Sequence, residues 1–124
     1  MYNRNPNLGS AWQPPLDVCE TADAYLIQIE VPGVPTTAVD VNLVDNVLTI
    51  SGEKRRPYEA NSTRMHRLER GYGAFERKVQ LPDDIDPEEV EATLKEGVLT
   101  LRVAKRRNAA AVRIPVKRRA EDEA

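Results

Sequence analysis

The stretch Ala92-Thr93-Leu94-Lys95-Glu96-Gly97-Val98-Leu99-Thr100-Leu101 constrains the fold more than any other part of the chain. Beyond Gly97, Leu99, Leu101 and Val103 alternate with Val98, Thr100 and Arg102. A period of two sets one row against a core and the other toward water. Gly97 stands where the chain must reverse, because glycine enters the φ > 0 region at little steric cost. Two short strands hinged at a tight turn are predicted here.

The same period recurs upstream. Leu16-Asp17-Val18-Cys19-Glu20 alternates. Tyr25, Ile27, Ile29 and Val31 oppose Leu26, Gln28 and Glu30, and Val39, Val41 and Leu43 oppose Asp40 and Asn42. Val47 to Ser51 follows the turn Asp45-Asn46, and Phe75, Arg77, Val79 and Leu81 oppose Glu76, Lys78 and Gln80. Thr21-Ala22-Asp23, Pro32-Gly33-Val34-Pro35 and Pro82 punctuate these runs, since proline removes a ladder donor and fixes φ. Strands at roughly 8–12-residue spacing with turns between them argue for an all-β antiparallel sandwich.

Two segments break the rhythm. Lys54 to Gly73 carries many charges with Pro57, Asn61, Ser62 and Gly71, plus a short alternating run near Met65 and Leu68. A connection of that length inside a small domain usually has a task. Asp86-Pro87-Glu88-Glu89 offers an N-cap, a proline at the first helical position and early acids, with Gly97 as a possible C′ residue. Local signals would make Asp86–Glu96 a helix, while Val90, Ala92 and Leu94 at period two would make it a strand. On residues alone both readings stand.

The chain's 124 residues suffice for one domain with tails and a modest core. Only 5% of residues are aromatic, so that core must be aliphatic. Residues 1–15, with Leu8 and Trp12 among Asn, Pro and Gly, are expected to be poorly ordered alone. A lone Cys19 cannot form an internal disulfide, and no apolar run nears the 18 or so residues of a membrane span. The N-terminus lacks the basic-then-apolar layout of a signal peptide, so a cytoplasmic protein with no membrane association is expected.

Charge is unevenly placed. Arg102 to Arg119 holds eight basic residues and no acidic one, whereas the chain before Arg102 has ten basic residues against 17 acidic ones. Such a tail is a nucleic-acid arm or a solvated extension. No aromatic residue interleaves the basic ones there, and phosphate attraction alone would be nonspecific and salt-sensitive, which disfavours a nucleic-acid partner.

No catalytic constellation is visible, and no cofactor is implied. His66 is the only histidine, which excludes a multi-histidine metal site; beside Arg64 and Arg67 it reads as a surface or interface residue. Cys19 has no thiolate-stabilising context and reads as a core or edge residue. The six glycines are scattered at turns, so there is no phosphate loop. Asp83, Asp84, Asp86, Glu88, Glu89 and Glu91 read as solvated acids rather than catalytic pairs. A non-enzyme is expected.

Four pieces in order resemble a known family: Val31-Pro32-Gly33-Val34, Phe75-x-Arg77-x-x-x-Leu81-Pro82, Ala92-x-x-x-x-Gly97-Val98-Leu99 and, near the C-terminus, Ile114-Pro115-Val116. Together they resemble the α-crystallin domain of small heat-shock proteins of the bacterial, archaeal and plant type. The segment ahead of the domain is shorter than is usual in that family. The resemblance implies an immunoglobulin-like sandwich over 16–104, preceded by a short arm 1–15 and followed by an extension 105–124. It also decides Asp86–Glu96 in favour of a strand. Further implications are an ATP-independent holdase that binds unfolding clients, and a homo-oligomer.

The resemblance likewise implies site residues. The loop 54–73 would pass Thr63–Leu68 to a partner's Leu16–Glu20 edge, with Leu16, Val18, Thr63, Met65, Leu68 and Arg77 at the dimer interface. Ile114 and Val116 would dock in a groove between Val39, Val41, Leu43 and Val90, Ala92, Leu94. Extended backbone puts Ile114 and Val116 on one side, with Pro115 stiffening the segment. Burying both is worth roughly 3–6 kcal/mol gross. Ordering the Asn108–Val112 tether would cost about 1 kcal/mol per residue, so assembly should rest on many linked weak contacts. Arg77 shares a face with Phe75, Val79 and Leu81 and should need a carboxylate or a path to water. Leu8 and Trp12 are expected client contacts. The rival reading is a co-chaperone sandwich that docks onto a larger chaperone; such relatives lack both the long loop and the Ile-x-Val anchor.

Overall fold

The computed structural model describes residues 12–107 and 114–119, and seven strands account for most of them. These are β1 (Leu16–Glu20), β2 (Ala24–Glu30), β3 (Val39–Val44), β4 (Val47–Lys54), β5 (Gly73–Gln80), β6 (Ile85–Lys95) and β7 (Val98–Lys105). The helical elements among the described residues are two single 3-10 turns, Thr36–Ala38 and Ala60–Ser62. Every pairing is antiparallel, in a four-stranded sheet ordered β1-β2-β7-β6 and a three-stranded sheet ordered β3-β4-β5.

Register follows the apolar rows. Ile27 faces Leu101, Ile29 faces Leu99 and Tyr25 faces Val103 across β2 and β7. Leu48 and Ile50 of β4 sit opposite Leu43 and Val41 on one side and Val79 and Arg77 on the other. The two inner faces meet in one cluster in which Ile27, Ile29, Val31, Leu48, Ile50, Leu101 and Val103 are fully buried. A one-residue slip would turn these rows to water, so burial itself holds the register.

The tight turns have the expected chemistry. Asp45 and Asn46 both take positive φ (50° and 64°) between the paired Val44 and Val47. Glu96 and Gly97 (53° and 77°) do the same between Lys95 and Val98. Two consecutive positive φ values give the hairpin turn whose twist matches the strands. Gly97 has a second reason to lack a side chain: a Cβ there would lie 3.1 Å from Pro32 Cα, while its carbonyl accepts from Val31 N–H at 2.7 Å.

The ambiguous segment is a strand as far as Lys95, with Glu96 in the turn that follows. Its cap-like start is spent on an irregularity: Asp86 Oδ1 accepts from Glu88 N–H (3.0 Å), and pairing jumps from Ile85↔Lys105 to Val90↔Val103. Val90, Ala92 and Leu94 then pair with Val103, Leu101 and Leu99. Cross-strand burial outweighs the helix-start signal here.

The lead-in 12–15 was expected to be poorly ordered, but it is built into the fold. Trp12 and Pro14 are buried, and Trp12 N–H donates to Ala74 O at 2.8 Å. Arg77 Nη1 donates to Pro14 O at 2.6 Å. Residues leading into β1 are thus fastened to β5, so these two sheet edges share one side of the sandwich. The remaining edges, β3 and β6, lie on the other.

Candidate functional site

β1 bonds to β2 alone, so among the described residues its outer row of backbone donors and acceptors has no neighbouring strand. Val18 lies opposite the fully buried Ile27 yet is 47% exposed, because the facing sheet is one strand narrower. Leu16 is half-buried against the core. This edge is short and carries exposed Asp17 and Glu20; Glu20 pairs with Lys105 Nζ. Cys19 is exposed on the same strand.

Lys54 and Gly73 are directly paired, so 55–72 forms one long excursion from the β4–β5 hairpin. Thr63–Leu68 is not a strand within this chain. Met65 and Leu68 are half-buried, while Thr63 and His66 are exposed. Tyr58 OH donates weakly to Met65 Sδ at 4.0 Å.

On the opposite side, Val39, Val41 and Leu43 of β3 and Val90 and Leu94 of β6 are partly buried and packed against the core cluster. Ala92 is exposed despite facing inward beside Leu101, too small to be covered at an edge. Both strands are sheet edges, so the sandwich ends there in a strip of half-covered apolar side chains. Ile114 and Val116 are 81% and 97% exposed and therefore not seated on their own domain. Pro115 between them is exposed as well.

Two expectations change. Arg77 is half-buried on the inner face but neither pairs with a carboxylate nor relies on water alone; the Pro14 carbonyl takes its guanidinium. A charge-assisted bond to a backbone oxygen satisfies the group without a second ion. Trp12 is 8% exposed, so in this conformation it is a core side chain rather than an open client contact. Its ring meets Phe75 edge-on at 5.4 Å, and a Cβ at Gly71 would come within 2.5 Å of its Cδ1. Leu8 lies outside the described residues.

Lys54 escaped the sequence reading, which placed it in the long connection. It ends β4 at 5% exposure, with Nζ 4.9 Å from the Trp12 ring centre and 5.6 Å from that of Tyr72. Burial, then the nearby Arg70 guanidinium, pushes its ammonium below the usual lysine range. The signal was one step away: period two from Leu48 and Ile50 puts Gly52 and Lys54 on the inner face.

Trp12→Ala is expected to cost about 3–5 kcal/mol, because it opens a cavity against Phe75 and Gly71 and strips a face from Lys54. Denaturant unfolding followed by circular dichroism measures this. A midpoint equal to the wild type would place Trp12 outside the core.

Among the described residues no group of three or more His, Cys, Asp and Glu converges as a metal site, and no helix is long and apolar enough to cross a membrane. What the described residues do present is open strand edges and strips of half-covered apolar side chains.

Known proteins agree with this architecture. The chain is 34% identical over 103 residues to small heat shock protein C4 of Rickettsia felis, covering 83% of this chain and 63% of that protein. It is 41% identical over 91 residues to the 22.0 kDa heat shock protein of Arabidopsis thaliana, covering 73% and 47%. It thus spans about half to two thirds of the length of these relatives. Among solved structures, a small heat-shock protein from Xylella fastidiosa superposes with a TM-score of 0.76 at 28% identity, over 88% of this chain and 100% of that one. The Hsp20/alpha crystallin family model matches residues 17–117, a span that takes in all seven strands from Asp17 onward and the Ile114–Val116 segment. By sequence and by fold, the chain belongs to the Hsp20/alpha crystallin family of small heat-shock proteins.

Proposed function

We propose that this protein is an ATP-independent holdase that captures unfolding polypeptides and assembles from dimers. Members of its family are chaperones, which supports the general role. The observation that carries the specific reading is that a half-covered apolar strip and an unseated apolar anchor occur in one chain: Val39, Val41, Leu43, Val90 and Leu94 on the domain, Ile114 and Val116 off it.

Dimerisation in this reading uses the other side. A partner's Thr63–Leu68 adds to the free edge of β1, satisfying its backbone groups and covering Val18. Higher assembly uses the anchor in the β3/β6 strip of another copy. When anchors leave, that strip becomes open to an extended apolar segment of a client. Each anchor gains roughly 3–6 kcal/mol gross from its two side chains, less the entropy of fixing the segment, so exchange stays rapid and multivalency supplies the strength.

Purified protein should suppress light scattering from a thermally or reductively unfolding client with no nucleotide present. A requirement for ATP, or no protection at several-fold excess, would sink the holdase reading.

A further inference from the structure

We propose that Lys54, Arg56 and Arg70, gathered around Trp12 and Tyr72, form an oxyanion site that takes a phosphate or a pair of carboxylates. Three cations converge on one ring: Lys54 Nζ lies 5.6 Å, Arg70 Cζ 5.3 Å and Arg56 Cζ 6.0 Å from the Tyr72 centroid. Tyr72 is itself buried and held edge-on by Tyr58 at 6.4 Å. Aromatic faces attract cations, but like charges so close repel one another unless an anion joins them.

Among the described residues no anion does so. Among the described residues, none of these three cations makes a hydrogen bond or an ion pair. The neighbouring acids are engaged elsewhere, Glu53 with Arg55 at 3.0 Å and Glu69 with Arg67 at 3.4 Å. Lys54 is the one buried charged side chain among the described residues, at 5% exposure. A lysine that buried is ordinarily paired. No fully enclosed side-chain nitrogen or oxygen there lacks a partner, so the unbonded ammonium tip must still touch solvent. Gly33 shows where: a Cβ on it would lie 3.3 Å from Lys54 Cε, 4.0 Å from Nζ and 3.9 Å from Arg70 Nη2. The missing side chain leaves an approach to both cations from the Pro32-Gly33 turn.

An oxyanion entering there meets one ammonium and the flexible guanidinium of Arg70, with Arg56 across the ring. Phosphate suits this set by charge, and adjacent carboxylates suit it equally. The chain carries such carboxylates at its acidic tip, Glu121-Asp122-Glu123, which a second copy would present. Trp12 leads into β1, and Arg56 and Arg70 flank the Thr63–Leu68 segment proposed for exchange, so the site lies beside that edge; its occupancy is read on Trp12 emission and does not depend on holdase activity.

Trp12 is the only tryptophan and lies 4.9 Å from Lys54 Nζ, so its emission reports on the site directly. Full-length protein is titrated at low salt with inorganic pyrophosphate and, separately, with the peptide Ala-Glu-Asp-Glu-Ala. Saturable change with pyrophosphate alone assigns the site to a free phosphate; change with the peptide assigns it to a protein carboxylate. Lys54→Met, which keeps the buried stem, and Arg70→Gln, at an exposed side chain, should each weaken binding about tenfold. Lys78→Gln, five residues along β5 from Gly73 and at an exposed side chain, should not. Failure of both ligands to change the emission, or equal loss in all three variants, would overturn the proposal.

Discussion

Joining Arg55 to Gly71, with residues 56–70 removed, is expected to leave a folded monomer in place of the proposed dimer. Lys54 and Gly73 are already paired, so Arg55-Gly71-Tyr72 can close β4 and β5 as a three-residue hairpin with a glycine in it. Every strand and the core cluster survive that excision, and the two guanidinium groups of Arg56 and Arg70 leave the neighbourhood of Lys54. What is lost is the segment Thr63–Leu68, the proposed partner of the β1 edge. Backbone pairing along β1 and cover over Val18 disappear together, a loss too large for the remaining surface to make up. Light scattering gives the mass and circular dichroism the strand content. A shortened chain that is folded and still has the dimer's mass would exclude strand exchange through this loop.

The sandwich could be read from residues because its strands are short, alternating and separated by turns with clear chemistry. Asp45-Asn46 and Glu96-Gly97 needed positive φ, and both have it. Asp86–Glu96 could not be decided locally. Its cap residue, proline and early acids are a helix-start signal in water, but Val90, Ala92 and Leu94 gain more by lying beside Val103, Leu101 and Leu99. A distant partner strand decides such a segment, and only the resemblance supplied that information.

Side chains that work across elements were harder to foresee. Trp12 sits in an Asn-, Pro- and Gly-rich stretch that looks solvated, yet its ring fills the space that Gly71 leaves beside Phe75. Arg77 was expected to seek a carboxylate, but the Pro14 carbonyl was invisible as a partner because it lies 63 residues away. Lys54 was masked by the charge run that follows it. These three share one cause: the lead-in to β1, the end of β4 and the start of β5 meet only after folding.

The proposed interaction surfaces follow a different logic. A half-buried valine on β3 or β6 has the same pattern as any edge-strand residue, so periodicity alone could not separate a docking strip from an ordinary rim. The exposure of Ile114 and Val116 adds the second half of the argument. Two large aliphatic side chains, 81% and 97% exposed within an otherwise basic segment, have no reason of solubility to be there.

Ile114→Ala combined with Val116→Ala is therefore expected to reduce any assembly larger than a dimer to dimers. Each truncation removes roughly 1–2 kcal/mol of apolar burial from a contact that is already marginal once the segment's ordering is counted. The dimer should persist, since its proposed pairing uses β1 and the loop on the opposite side of the sandwich from β3 and β6. The melting transition should move little, because neither side chain packs in the core of its own domain. Salt separates this from a rival in which Arg113 and Lys117–Arg119 hold the assembly by charge. Exposed charge pairs are screened beyond about 8 Å at physiological ionic strength and sooner at 1 M, so a charge-held oligomer would dissolve as salt rises. Apolar anchoring predicts the reverse, an oligomer that persists in 1 M salt and is lost only when the two side chains are cut back. A double-alanine protein with wild-type mass at both low and high salt would remove Ile114 and Val116 from the assembly altogether, and the β3/β6 strip would then be left as a surface for clients alone.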